Sequence, residues 1–306
     1  MRPGETAGPA LTAIAHDILG KGRGALDDIA RQDAAPAVHD YRKVMKRWRG
    51  FLKLVEPFLP PRDRWLRITA RDLARQLASA RDGQAALDAL ADLEGADLGL
   101  SKTSWATMRS RIEAARHSAE LRTLTPELRT QLDAALTMAA HSVDAWGLHS
   151  VSFHALAGEL ARHYERARDA VASTAWDEAA PEHLHELRKR VVVHRYQMEL
   201  IEPVWPRFGK LWIAEAQRLR ERLGSHQDLV VLAGLTAPHQ VLAPWRSRLT
   251  PLIETRKAAH RAAARRLAGR LFAERPKAFR RRIEALWGNA AKASSPADAA
   301  PAREDA

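Results

Sequence analysis

The sequence predicts an all-α fold: two antiparallel helical bundles related by an approximate twofold axis, arising from an internal duplication at an offset of 146 residues. Three observations lead there. Apolar residues recur at three- and four-residue spacing through nearly every segment, the period that gathers them on one side of a helix. Runs of alternating Val, Ile, Thr or Tyr, which would build a sheet, are missing. Finally, His39 to Asp82 laid on His185 to Asp228 without a gap keeps 13 of 44 positions identical, where unrelated sequence of this composition would keep roughly three or four.

Punctuation places the elements in order. In the first half, helices are broken by "RQDAAP" near Pro36, "EPFLPPRD" at Pro57 to Asp63, "LEGADLGLSKTS" around Gly95 to Ser104, "LTPEL" at Pro126 and "AWGLHS" at Gly147. That gives about four long helices with a short one between. The second half repeats the plan, with breaks at Pro181, "EPVWPRFGK", Gly224, "TAPHQ" and "RPKAF". Arg81-Asp82 and Gln227-Asp228 are read as closing the matching third helices. One domain is expected over residues 8–288, with halves at about 8–147 and 148–288. The small, polar, Pro-containing residues 289–306 read as a disordered tail.

The helix after His39 carries the functional signal. At about 100° per residue, Arg42, Lys43, Lys46, Arg47, Arg49 and Lys53 fall within roughly 80° either side of His39. Tyr41, Val44, Met45, Trp48, Phe51, Leu52 and Val55 take the opposite side and face the core. A merely solvated face interleaves Glu with Lys to relieve repulsion, yet no acid stands between Asp40 and Glu56. These cations need counter-charge from elsewhere in the fold, or an anion. The second copy keeps His185, Arg188, Lys189 and Arg195 at the same angles, but has Val192, Val193 and Glu199 in place of Lys46, Arg47 and Lys53. A fold needs its leucines and prolines twice, but not its cations, so the doubled face points to an anionic partner. If the two helices face one another, their stripes line one groove or pore. Arg162 and Arg166, with Tyr164, lie on a stripe that extends it, and Arg81 closes it at a helix end.

Composition agrees in sign. The 306 residues carry 49 Lys and Arg against 37 Asp and Glu, a net charge of +12, which favours polyanions: nucleic acid, polyphosphate or an acidic membrane surface. With no cysteine there is no thiolate nucleophile or thiolate metal site. No secretory signal core and no membrane-length apolar run occur, so a soluble cytoplasmic protein without membrane insertion is expected. Phosphate-loop, H-E-x-x-H and G-x-S-x-G motifs are missing, and no carboxylate cluster for magnesium is evident. The expectation is therefore a non-enzyme with no cofactor, no metal and no catalytic residues.

"HDYRKVMKRWR", "HELRKRVVVHRY", the Arg81-Asp82 pair and "ELARHYERAR" together resemble the CHAD family, the conserved histidine α-helical domain, over about residues 8–288. The resemblance implies two pseudo-symmetric helical bundles around a basic cavity that binds inorganic polyphosphate, and association with polyphosphate granules and their proteins. Val192, Val193 and Gln227 depart from the family pattern, which weakens the second half. No two glutamates are separated by one residue, so the E-x-E-x-K triphosphate hydrolase often fused to such domains is not expected. Two other functions remain open from the residues alone. Non-specific nucleic-acid binding follows from phosphate electrostatics, although the cationic faces lack the Asn and Gln that read bases, so sequence-specific recognition is not expected. A scaffold for an acidic protein is the other, given the basic helix "KAAHRAAARRLAGRLFAERPKAFRRRIEALW".

Overall fold

A computed structural model describes residues 6–31, 34–76, 79–94, 100–123 and 125–293. Among these residues there is no strand. The α-helices are α1 (Ala7–Arg31), α2 (Ala34–Val55), α3 (Trp65–Gln76), α4 (Ser79–Glu94), α5 (Lys102–Thr123), α6 (Pro126–Asp144), α7 (Phe153–Ala172), α8 (Pro181–Ile201), α9 (Pro206–Gly234), α10 (Arg246–Leu271) and α11 (Pro276–Ala293). Local chemistry sets several of these limits. Proline opens α6, α8, α9 and α11, where its missing N–H costs nothing and its fixed φ suits the first turn. Thr125 caps α6 by accepting from the Leu128 N–H, and Ser152 caps α7 by accepting from that of Ala155.

The packing has a recurrent order. Helix α1 lies on α2 and α6, as α7 lies on α8 and α11; α2 meets α3 as α8 meets α9; α4 meets α5 as α9 meets α10. The 3-10 turns Glu56–Phe58 and Glu202–Val204 stand at matching places. The most extensive contacts joining these sets are α4 on α9 and α2 on α8, with smaller ones of α2 on α7 and α4 on α10. The residues kept in both copies for the core are buried in both: Leu54 and Leu200, Ala70 and Ala216, Leu73 and Leu219. The larger apolar cluster also holds Trp48, whose ring stacks on Phe51 at 5.8 Å and Trp146 at 6.2 Å. Emptying such a site costs about 3–5 kcal/mol. A smaller cluster, around Leu90, Trp105, Leu232 and Ile253, joins α4, α5, α9 and α10.

The α2–α8 crossing positions everything that follows. Gly50 lies against Tyr196, its counterpart in the repeated sequence, so closely that a Cβ on Gly50 would stand 3.3 Å from the Tyr196 Cβ. A glycine here lets two helix backbones approach within the span of one aromatic ring.

Several expectations are corrected. Gly224 does not break a helix; α9 runs through it, and a Cβ added there would stand 3.5 Å from the Arg188 Nε, at ordinary contact. Arg81-Asp82 falls in the first turn of α4, and Gln227-Asp228 lies inside α9, so neither pair closes a helix. Alanine-rich residues 289–293 continue α11 instead of beginning a tail. Tyr164 is fully buried, stacked on Phe279 at 4.3 Å with its hydroxyl donating to the Glu274 carbonyl. It sits two residues, about 200°, from both Arg162 and Arg166 and so faces the core. Trp205, although its sequence neighbours Val204 and Pro206 are apolar, is 50% exposed.

Candidate functional site

The cationic stripe on α2 does not stay whole. Because α8 crosses at Gly50, in the middle of the stripe, the cations divide between two clefts. Lys43 and Arg47 turn to one side, into a cleft of about 590 Å³ shared with α1 and the end of α8. Acids meet them there: Asp28 and Asp40 line the cleft, Asp17 stands 3.8 Å from Arg47, and Glu199 stands 3.9 Å from it. Glu199 also binds Arg195 at 2.6 Å, whose guanidinium covers the Tyr196 ring at 4.3 Å. This side supplies its own counter-charge.

Arg49 and Lys53 turn to the other side, where the surroundings have the opposite sign. Burial, followed by Arg71, Arg75 and Arg67 of α3, holds the Arg49 guanidinium below its usual pKa. Burial lowers Lys53 as well, then Arg49, Arg67 and Arg190, with Glu186 the opposing charge. Helix α7 adds to this cluster. His163 donates from Nε2 to the Lys53 carbonyl at 3.0 Å and is pushed down to about 4, mainly by burial, then by Arg166, Lys53 and Arg162, while the carbonyl bond opposes the shift. A cationic cluster thus gathers Arg49 and Lys53 from α2, Arg67, Arg71 and Arg75 from α3, Arg162, His163 and Arg166 from α7, and Arg190 from α8. Its carboxylates sit at the margins: Glu56 pairs with Arg67 at 3.0 Å, Asp72 with Arg71 at 2.9 Å, buried Glu159 with Arg162, and Glu186 with Lys189 at 2.5 Å. The half-buried His163 imidazole is thus held neutral at ordinary pH, beside cations that an approaching anion would offset.

The sequence-predicted residues therefore fall into groups. Arg49, Lys53, Arg162 and Arg166 come together; Lys43, Arg47 and Arg195 line the self-neutralised cleft. Arg42, Lys46, His185 and Arg188 are half-buried along the facing stretches of α2 and α8, and Lys189 is exposed. The side chains of His39 and Arg81 lie outside the described residues. Sequence reading missed Arg67, Arg71, Arg75, His163 and Arg190. The first three were legible in principle, since four-residue spacing puts them on one face of α3. Arg190 was not, because on its own helix it points away from the histidine stripe.

The described fold is all-helical, and side chains from four of its helices gather into one cationic cluster. Residues 13–237 match the model of the CHAD domain, so the chain belongs to the CHAD domain family. Among solved structures it is similar to the CHAD domain of the plant Ricinus communis, with 19% identity, a TM-score of 0.57, and coverage of 93% of this chain and 94% of that one. It is similar also to PptA from Streptomyces chartreusis, with 17% identity, a TM-score of 0.57, and coverage of 93% and 100% respectively. At these identities the likeness concerns the fold. No curated protein matches the sequence. Among the described residues no helix is long and apolar enough to cross a membrane, and no group of three or more His, Asp or Glu is placed to hold a metal ion.

Proposed function

We propose that this protein binds inorganic polyphosphate, without catalysing its turnover, in the groove between α2, α3, α7 and α8, and that this binding associates it with polyphosphate granules in the cytoplasm. Membership of the CHAD family supports the polyanion class. The observation that carries the reading is electrostatic: Arg49 and Lys53 are partly buried among cations from other helices, and both are held below their ordinary pKa by burial first and then by that company. A chain of phosphates relieves this repulsion along its length, with arginines donating in pairs to phosphate oxygens and Lys53 acting as a mobile point charge. His39, Arg42, Lys43, Lys46, Arg47, Arg81, His185, Arg188, Lys189 and Arg195 form the wider basic surface on this reading, with Arg42, Lys46, His185 and Arg188 continuing the track along the α2–α8 contact.

The test is affinity for long-chain polyphosphate, duplex DNA and single-stranded RNA at two salt concentrations, for the wild type and for a variant with Arg49, Lys53 and Arg71 changed to Ala. Preferential polyphosphate binding that persists at the higher salt and collapses in the variant is expected. Equal, steeply salt-dependent binding to all three polymers, unchanged by the substitutions, would replace this reading with diffuse attraction to phosphates.

A further inference from the structure

Helix α10 leaves about half of its circumference open to solvent, and the chemistry of that face is narrow. Ile253, His260, Ala264, Ala268 and Leu271 are buried against the fold. Ala258, Ala262, Arg265, Arg266, Gly269 and Arg270 are exposed, and Arg261 is half-buried. At about 100° per residue, with Ala262 as zero, Ala258 and Gly269 fall within about 40° of it and form a crest of small residues. Arg261 and Arg265 stand at about −100° and −60°, and Arg266 and Arg270 at about +40° and +80°, so arginines flank the crest on both sides. Nothing stands within 4 Å of a Cβ built on Gly269. Counter-charge is scarce along this face. After Glu254, α10 carries no acid. The next one in the chain, Glu274, is taken by Arg282 at 2.6 Å. Arg265 meets Asp177, itself 91% exposed, at 3.4 Å, a pair that water screens strongly. Arg261, Arg266 and Arg270 make no ion pair among the described residues.

We propose that this face docks on duplex DNA, with α10 lying along the major groove and its two rows of arginines reaching the phosphates of the two strands that border it. Charge complementarity names the class of partner, since guanidinium groups donate in pairs to phosphate oxygens. The rest of the face selects within that class. Large exposed apolar side chains, Ile68, Met138, Trp205 and Leu211, all lie outside α10. The face therefore offers neither the aromatic anchor of a protein interface nor the apolar wedge of a membrane-seated helix. A thin phosphate chain can follow one row of arginines, whereas a duplex presents charge on both sides of a groove about 12 Å wide, which admits an α-helix. Alanine and glycine on the crest let the backbone approach closely and supply no amide to read base edges. Contact is thus to the sugar-phosphate backbone and independent of sequence. None of these residues belongs to the cluster around Lys53, so the inference does not rest on the polyphosphate reading.

The experiment titrates a labelled random-sequence DNA duplex with the full chain, read by fluorescence anisotropy over a series of salt concentrations. Wild type is compared with a variant carrying Arg261→Gln, Arg265→Gln, Arg266→Gln and Arg270→Gln, and with a control in which exposed Arg62, Arg64, Lys102 and Arg207 become Gln, the same change in net charge. Glutamine is a good helix former, so α10 itself should persist; a variant with only the fully exposed Arg266 and Arg270 changed serves where the fourfold one does not fold. The α10 variant is expected to bind DNA about tenfold or more weakly, with a slope of log Kd against log salt smaller by about three, while the control stays close to wild type. Duplex RNA, whose deep and narrow major groove excludes a helix, should bind wild type less tightly than DNA. Wild type that does not bind the DNA duplex, equal losses in the α10 variant and the control, or RNA bound as tightly as DNA would each overturn the proposal. Polyphosphate affinity, which the α10 variant should keep and the Lys53 cluster variant should lose, tests the other reading separately.

Discussion

Replacing Lys53 by Met should make the empty protein more stable and the ligand weaker. The Lys53 ammonium stands in the fold among Arg49, Arg67 and Arg190, with Glu186 the single opposing charge. Three like charges against one unlike leave two uncompensated repulsions. Partly solvated pairs are worth roughly 0.2–1 kcal/mol each, so the relief is on the order of 1 kcal/mol, with the apolar stem preserved by Met. The sign with pH is definite. A cation whose pKa is lowered by folding is disfavoured in the native state, fully so below its folded pKa, and the penalty fades only as pH rises towards the unfolded value. At neutral pH it is wholly present, and relieving it should raise Tm by about 2–4 °C in low-salt, phosphate-free buffer. With saturating polyphosphate the order reverses. The variant loses one charge-assisted contact, about 1.5–3 kcal/mol, or roughly tenfold to 150-fold in Kd. Calorimetry with and without polyphosphate reads both effects. A variant less stable than wild type without ligand, or equally stabilised by the polymer, would refute the reasoning.

Three further outcomes are expected. His163 and His194 titrate at about 4 and about 3 in the fold, both mainly through burial, against an ordinary 6.5. The unfolded chain therefore binds protons that the native state refuses, and stability should fall as pH drops from about 6.5 to 4, by up to about 1.4 kcal/mol per pH unit for each histidine. His194→Gln, which keeps an acceptor for the Trp212 indole N–H, should flatten that slope in denaturant titrations; an unchanged slope would count against the burial argument. Gln197 is fully buried with neither amide atom partnered among the described residues, while the matching position of the first copy is Phe51. Gln197→Leu should stabilise by about 1–3 kcal/mol, read as a higher denaturant midpoint. Gly50→Leu should separate α2 from α8, lowering stability by about 1–3 kcal/mol and reducing retention of the protein on a polyphosphate-bearing resin.

Helical class was legible because every helix buries a stripe spaced at three and four residues, as with Trp48, Phe51, Leu52 and Val55 on α2. Proline-marked starts at Pro126, Pro181, Pro206 and Pro276 were legible for the same local reason. What failed was anything decided by a neighbour. Gly224 looked like a break because glycine often ends a helix, whereas here the packing of α9 on α8 and α10 carries the helix through it. The α2 stripe looked continuous because angular position on one helix says nothing of where a second helix crosses it. Only that crossing separates Arg47, which finds Asp17 and Glu199, from Lys53, which finds arginines. Arg190 and His163 joined the groove through tertiary placement alone. Tyr164 followed its helical angle into the core while the charged residues beside it did not.

The pairing of Lys53 with Glu199, one at each end of the same crossing, has a consequence for how the protein can be studied. Glu199 holds Arg195 and Arg47 as a tethered carboxylate, much as an inhibitor peptide occupies a receptor. One cleft is neutralised by its own acids while the other side gathers cations around Lys53. The molecule contains its own mock-treated surface: both sides flank the same α2–α8 crossing, and they differ in the acids that α1 and α8 bring to one and the arginines that α3 and α7 bring to the other. Ion-exchange behaviour, chemical modification rates of lysines and crystal soaks with small oxyanions can all be compared between the two clefts within a single polypeptide, under identical buffer and temperature.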